Sequence, residues 1–134
     1  KVGIKIQEQR SLFEEQGFRR IWQVVCSGAA RAMYFNGIPE KNIENIVVED
    51  CEIVSDKGAD LRYSTNVVLR NVMINQAEGA GYSVANCRNV VIDGCTDAAG
   101  GKIPEVFEYN SHNLVIAFFI FFQISFLETV LIFL

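Results

Sequence analysis

The sequence of 134 residues is poor in the residue types that mark several common classes of protein. It has one histidine, two prolines and one tryptophan. Its four cysteines form no Cys-x-x-Cys pair, which argues against zinc, and we expect neither a metal nor a cofactor. The sequence has twelve Lys and Arg residues and sixteen Asp and Glu residues. It therefore lacks the excess of positive charge that is typical of proteins that bind nucleic acid. Two prolines and scattered glycines leave no linker, so the sequence predicts one domain.

The dominant feature that is present is a phrase repeated three times. The copies occupy positions 45–53, 66–74 and 89–96, and each opens on an asparagine: Asn45, Asn66 and Asn89. The steps from one asparagine to the next are 66 − 45 = 21 and 89 − 66 = 23. A period in this range is typical of a solenoid, in which each repeat forms one coil.

Each copy alternates apolar and polar residues, which is the periodicity of a strand with one buried face. Two polar or small residues then interrupt the alternation, and it restarts one position later. The interruptions are Glu49-Asp50, Arg70-Asn71 and Asp93-Gly94. Asp, Asn and Gly tolerate the left-handed conformation, so the pattern indicates a strand, a tight bend and a second strand.

The repeat therefore predicts an all-β fold, a single-stranded parallel β-helix of about four to five rungs. Equivalent residues in successive rungs would stack about 4.8 Å apart. The opening asparagines would then share amide hydrogen bonds along the coil. A leucine-rich repeat has a similar period but needs leucines where this chain has Val, Ile and Cys. A β-sandwich with chance similarity does not explain why the bend recurs at one offset.

The four cysteines are interpreted as small buried hydrophobic side chains. Cys51 and Cys95 occupy the same inward position two rungs apart, about 9.6 Å, which is beyond the reach of a disulfide. Residues 18–26 resemble a degenerate earlier copy of the repeat, called the worn rung below. If Arg20 takes the position of Asn45, the step is 45 − 20 = 25, and Cys26 aligns with Cys51. A disulfide between Cys26 and Cys51 then stays open as an alternative.

The repeat divides the chain into three segments. Residues 1–17 are a poorly defined lead-in with a short strand at Val2, Ile4 and Ile6, residues 18–113 are the rungs, and residues 114–134 are apolar. A fourth copy opens at Asn113 but loses the polar bend. The last segment is interpreted as a cap over the coil, an aberrant end or, less favoured, a membrane span. The chain starts at Lys1 without a signal peptide, so we expect a piece of a longer protein.

One stretch is similar to a known family. The phrase Ala32-Met33-Tyr34-Phe35-Asn36-Gly37-Ile38-Pro39-Glu40, with the later Asn-Val-Val phrases, resembles the C-terminal rungs of glycoside hydrolase family 28. These are the polygalacturonases and related pectin-degrading enzymes, particularly the bacterial ones, and the resemblance covers residues 18–116. It implies a right-handed, pectin-lyase-like solenoid, polygalacturonan as substrate, and a secreted or periplasmic parent protein.

The resemblance does not extend to the family's catalytic motifs. The family uses aspartates in Asn-x-Asp and Asp-Asp motifs, a His-Gly and an Arg-x-Lys, and none of these occurs here. An inverting glycosidase needs two carboxyl groups on opposite sides of the cleaved bond. His112 directly precedes the incomplete fourth copy, and the aspartates are expected at bends or turns: Asp50, Asp56, Asp60, Asp93 and Asp97. We therefore predict no catalytic, cofactor-binding or metal-binding residues in this chain, which alone should be inactive.

The sequence leaves two main hypotheses for function. In the first, the chain is the structural C-terminal portion of a polygalacturonase-like hydrolase, with the upstream rungs as its partner and pectin as the substrate of the whole. In the second, it is a non-enzymatic β-helical carbohydrate-binding or adhesion module. Its aromatic candidates for stacking on sugars are Trp22, Tyr63, Tyr82 and Tyr109. Open coil ends also predict self-association.

Overall fold

The computed structural model describes residues 1–7, 19–98 and 101–117, and this part of the chain is all β. Its strands pair in parallel, and successive turns stack into a parallel β-helix of about four turns. The strands are β1 (Val2–Gln7), β2 (Arg19–Trp22), β3 (Val25–Asn36), β4 (Ile43–Arg62), β5 (Ser64–Gln76), β6 (Tyr82–Ala85), β7 (Arg88–Asp93), β8 (Thr96–Asp97), β9 (Val106–Tyr109) and β10 (His112–Ala117). The predicted β-helix is confirmed.

Each turn has three faces, because the long strands bend at corners. In the turn that β4 forms, the first face is residues 46–49, the second is residues 51–55 and the third is residues 59–62. The same faces of the next turn are residues 67–70, 72–76 and 82–85. The sequence predicts a turn at residues 55–58, but these residues continue β4, since Ser55 and Lys57 both pair with β3.

The first corner is a column of four asparagines. Asn45, Asn66, Asn89 and Asn113 all have left-handed backbones, with φ between 53° and 60°. The Nδ2 of Asn66 donates to Oδ1 of Asn45 at 3.1 Å, Asn89 donates to Asn66 at 3.0 Å, and Asn113 donates to Asn89 at 2.8 Å. Asparagine suits this corner for two reasons. It tolerates a left-handed backbone, and its side-chain amide forms hydrogen bonds with the asparagine of the adjacent turn. The predicted amide ladder is confirmed and includes a fourth member.

The second corner lies at the predicted polar bend. Asp50, Asn71 and Gly94 take φ values of 55°, 52° and 64°, and Nδ2 of Asn71 donates to Oδ1 of Asp50 at 2.7 Å.

A third corner follows the third face at Tyr63, Asn86 and Asn110, which also have left-handed backbones. The Nδ2 of Asn110 donates to Oδ1 of Asn86 at 2.8 Å. The sequence predicts this corner in one turn only, as a turn at Asn36-Gly37, although the recurrence of asparagine at positions 86 and 110 was a further signal.

The proposed alignment of the worn rung is wrong by two positions. Arg19 pairs with Ile46 and Cys26 with Ile53, so the step is 46 − 19 = 27, and Cys26 does not align with Cys51. Gln23 has a φ of 58° and therefore occupies the second corner, where a polar residue belongs.

All four cysteines are free thiols. The alternative of a disulfide between Cys26 and Cys51 is therefore wrong. Burial raises the pKa of the Cys51, Cys87 and Cys95 thiols, which keeps them neutral.

The core is built from inward columns that continue from turn to turn. Val48, Leu69 and Ile92 pair in register on the first face and are at most 1% exposed. Cys51 pairs with Val72 on the second face, and Cys95 lies one position before the pairing of Thr96 with Met73, so both cysteines share one column as predicted. Burying one such aliphatic side chain stabilises the fold by about 1.5–3 kcal/mol.

Gly37 belongs to the stretch 32–40 that resembles glycoside hydrolase family 28, and it makes a close contact at the third corner. A Cβ on Gly37 would lie 2.0 Å from the carbonyl oxygen of Tyr63 in the next turn. The backbone N–H of Gly37 donates to the carbonyl of Arg62 at 2.9 Å. Only glycine allows the two turns to approach this closely, so this residue of the phrase is explained by stacking.

Candidate functional site

The third face carries the most varied outward side chains of the described coil. Inward and outward residues alternate along it, so Phe35, Leu61 and Val84 are buried while their neighbours point outward. The parallel register stacks these outward residues in two columns. One column is Tyr34, Asp60, Ser83 and Phe107, and the other is Asn36, Arg62, Ala85 and Tyr109.

Asp60 is the centre of an ion-pair cluster at one side of this face. Its Oδ2 accepts from Nη1 of Arg31 at 2.9 Å and from Nη2 of Arg62 at 2.8 Å, and its Oδ1 accepts from Nε of Arg62 at 3.2 Å. Hydrogen bonding to Asp60 raises the pKa of Arg62 further. The guanidinium carbons of both arginines lie 5.3 and 5.7 Å from the centre of the Tyr34 ring, within cation–π distance.

The prediction that Asp60 sits at a bend is wrong. It lies in the middle of the third face, and two arginines, one from the preceding turn and one from its own strand, hold its side chain. Sequence spacing does not reveal this cluster, because Arg31 belongs to a different turn. Asp50 does occupy a corner as expected. Asp93 ends β7 directly before the corner residue Gly94, and its Oδ2 lies 3.7 Å from Nε of Arg70.

The register places two short outward residues of the third face between larger ones from the adjacent turns. Ser83 and Ala85 are the short residues and form the floor of this surface. One wall is the cluster of Asp60, Arg62 and Tyr34, and the other wall is Phe107 and Tyr109, which are 61% and 70% exposed. We call this surface the third-face trough. Its walls are two strand spacings apart, about 9.6 Å between backbone positions.

A shallow groove of about 410 Å³ adjoins the trough at its upstream end. Asp60 and Ser83 belong to both surfaces, so the groove extends the trough along the strand direction. Its remaining lining residues come from β3, from the part of β4 that leads into the third face, and from the loop before β6: Arg31, Lys57, Gly58, Ala59, Glu78, Gly79 and Ala80.

The four aromatic residues that the sequence proposed for sugar stacking have different outcomes. Tyr109 is exposed in the trough, and Trp22 is 51% exposed on the first face, 5.0 Å from the guanidinium of Arg20. Tyr63 is half-buried at the third corner. Tyr82 is 1% exposed in the core and cannot stack on a ligand, so that assignment is wrong.

Two aromatic residues of the trough were not among those candidates. Phe107 and Tyr34 lie in one outward column of the third face, and their position depends on the register between turns. The alternation along the strand that contains Phe107 was the only signal in the sequence.

Tyr82 offers a stability test, because its buried hydroxyl has no nitrogen or oxygen partner among the described residues. Burial raises the pKa of this phenol well above its ordinary value. The causes of this shift include a side-chain hydrogen bond with Cys95, whose thiol is a weak partner. We expect Tyr82→Phe to raise the free energy of unfolding by about 1 kcal/mol, since only this weak contact compensates the buried hydroxyl. Tyr82→Ala is the control for packing and should lower it by about 3–5 kcal/mol. Urea unfolding measures both, and a destabilised Tyr82→Phe variant would mean that the hydroxyl is satisfied.

A second charged column runs down the first face. Glu49 pairs with Arg20 of the preceding turn and lies 3.9 Å from Arg70 of the next. Arg70 in turn approaches Asp93 one turn further on. Opposite charges in adjacent turns favour this register of stacking. The carboxylates of this column are therefore engaged with arginines of neighbouring turns.

The apolar segment singled out in the sequence lies only in part within the described residues. Residues 112–117 form β10, which pairs with β7 as a further turn, while residues 118–134 lie outside the described residues. Within residues 1–7, 19–98 and 101–117, no helix has the length and apolar character to cross a bilayer.

The comparisons with known proteins leave the family of this chain undetermined. A scan against protein-family models and searches of curated proteins and solved structures found no match to the chain.

Proposed function

We propose that this chain is the C-terminal structural portion of a polygalacturonase-like glycoside hydrolase, and that catalytic rungs upstream of it act on pectin. The observation that carries the proposal is the β-helix itself, together with the position in it of residues 32–40, which resemble glycoside hydrolase family 28. Residues 32–36 form the third face of one turn, and Gly37 follows at the corner against Tyr63. In this role, the chain extends the coil and stacks against the upstream rungs.

The charged groups of the described turns support a structural role. Glu49, Asp60 and Asp93 each face an arginine from a neighbouring turn. A glycosidase acid must hold a proton for the leaving oxygen, while its base must hold a water. The oxygens of Asp60 already accept three hydrogen bonds from guanidinium groups, and the one from Arg31 links two turns.

The proposal expects a longer product of the gene, with rungs upstream of this chain, and the test compares the two. On polygalacturonate, we expect the longer product to release reducing sugar and this chain alone to release none. Removing residues 19–117 from the longer product should lower its thermal stability, because the coil loses its terminal turns. Sugar release by this chain alone, or a longer product that is inert on polygalacturonate, would overturn the proposal.

A second candidate function is a non-enzymatic carbohydrate-binding or adhesion module. The specific observation in its favour is the exposure of Phe107 and Tyr109 beside each other in the third-face trough, at 61% and 70%. Two exposed aromatic rings side by side offer apolar surfaces on which a ligand with apolar faces can stack. In this case, neither product of the gene would hydrolyse polygalacturonate, and glycan binding would depend on these rings.

A further inference from the structure

The sequence contains one Asn-Gly pair, Asn36-Gly37, and it lies where two turns of the coil meet. Asn36 ends β3 and pairs with Gln7 on one side and with Arg62 of the next turn on the other. Gly37 is buried, and its N–H donates to the carbonyl of Arg62 at 2.9 Å. A Cβ at Gly37 would overlap the carbonyl oxygen of Tyr63, so the packing between turns requires glycine at this position.

An asparagine that precedes glycine can lose its side-chain amide without an enzyme, since asparagine is thermolabile and glycine has no side chain to hinder the attack. The backbone nitrogen of Gly37 would attack Cγ of Asn36, the Cγ–Nδ2 bond would break, and ammonia would leave with the proton of the attacking nitrogen. Water then opens the cyclic imide. Cleavage at Cγ gives aspartate, and cleavage at the backbone carbonyl gives isoaspartate, whose main chain is one carbon longer.

The side-chain amide of Asn36 is not held in the way that the corner asparagines are. Asn66 donates to Asn45, and Asn110 donates to Asn86, so those amides are fixed in ladders between turns. Among the described residues, none forms a hydrogen bond with the half-buried side chain of Asn36. The electrophilic carbon of Asn36 is therefore free to turn toward the backbone.

The paired backbone blocks the reaction while the third corner is closed. The nitrogen of Gly37 is the nucleophile, and its N–H is bound to the carbonyl of Arg62. The attack also requires the peptide between Asn36 and Gly37 to rotate, which strand pairing on both sides of Asn36 opposes. The reaction is therefore expected only from states in which this corner has opened locally.

We propose that Asn36-Gly37 is a deamidation site that the closed third corner protects, and that conversion to isoaspartate prevents the two turns from closing again. The longer main chain of isoaspartate would displace Gly37, where the contact with Tyr63 leaves no space for an additional carbon. Aspartate fits the original backbone, and its carboxylate would lie in register with Arg62, whose side chain is 49% exposed. Deamidation thus turns a reversible opening into a permanent one, whatever the function of the coil.

The test is incubation of the chain at mildly alkaline pH, followed by proteolysis and mass spectrometry of the fragment that contains Asn36. A synthetic peptide of residues 32–40 is the unfolded reference. We expect the folded chain to deamidate at Asn36 at least about tenfold more slowly than the peptide, because the corner is closed most of the time. Urea below the unfolding transition should raise the rate, since it favours states that expose more surface. Asn36→Gln is the matched control, because its amide lies one carbon further from the backbone nitrogen.

Urea unfolding of the incubated chain measures the consequence for the coil. The fraction that contains isoaspartate should unfold at a lower urea midpoint than the fresh chain. Asn36→Asp, which reproduces the other product, should stay close to the fresh chain, and Asn36→Gln should keep its midpoint during incubation. The proposal is overturned if Asn36 reacts as fast in the folded chain as in the peptide, or if it stays intact in denaturing urea. It is also overturned if isoaspartate leaves the midpoint unchanged.

Discussion

Leu69→Ala should lower the free energy of unfolding by about 2–5 kcal/mol, the range for a large side chain removed from a packed core. Leu69 is 0% exposed and stacks between Val48 of the preceding turn and Ile92 of the next. The cavity would lie between three consecutive turns, and the strands on both sides are hydrogen-bonded. These turns have little freedom to collapse into the cavity, so we expect the upper part of the range.

Urea unfolding followed by circular dichroism measures this effect. Leu69→Met is the volume-conserving control and should cost less than about 1.5 kcal/mol. Val54→Ala is the exposed control, because Val54 is 47% exposed on the second face, and it should change stability by less than about 0.5 kcal/mol. Equal losses for Leu69→Ala and Val54→Ala would contradict the stacked core.

Asn66→Val should lower the free energy of unfolding by about 2–4 kcal/mol through two separate causes. Asn66 has a φ of 58°, which is a strained conformation for a β-branched residue. Its amide also donates to Asn45 and accepts from Asn89, so both hydrogen bonds of the ladder would be lost. The effect is large for an exposed residue because a corner of the coil depends on it.

Asn66→Gly separates the two causes, because glycine adopts this backbone without strain. We expect it to cost about 1 kcal/mol, which reflects the ladder alone. Amide hydrogen exchange should show faster opening around positions 45 and 89 in both variants, since the ladder links adjacent turns. If Asn66→Val and Asn66→Gly were equally stable, the left-handed corner would not be the main constraint.

The two candidate functions assign different roles to different parts of one coil. The inward columns and the corners hold the turns together, and they explain the repeated phrase. The outward residues of the third face are free from this constraint, so they can be selected for binding. Arg31, Asp60 and Arg62 serve both roles, because they join two turns and also face the trough.

The sequence by itself determined the architecture. A strand buried on one face must alternate, and a corner that needs a left-handed backbone selects Asn, Asp or Gly, so the repeated phrase carries both the faces and two of the three corners. The first rung was misaligned because Gln23 at its corner and its longer step depart from the later pattern. The sequence indicated the third corner only at Asn36-Gly37, and its later positions were missed because Tyr63 stands where Asn86 and Asn110 stand in the following turns.

Only the tertiary structure decided which outward residues lie together. Register brings Tyr34, Asp60, Ser83 and Phe107 into one column although they are far apart in the sequence. The steps between turns are unequal, 46 − 19 = 27 at the first and 67 − 46 = 21 at the next, so an alignment by period alone places these side chains at the wrong height. Alignment errors are easier to detect at inward positions, since nearly all of these residues must be apolar. Outward positions follow no such rule, and the trough therefore became visible only when the turns were stacked.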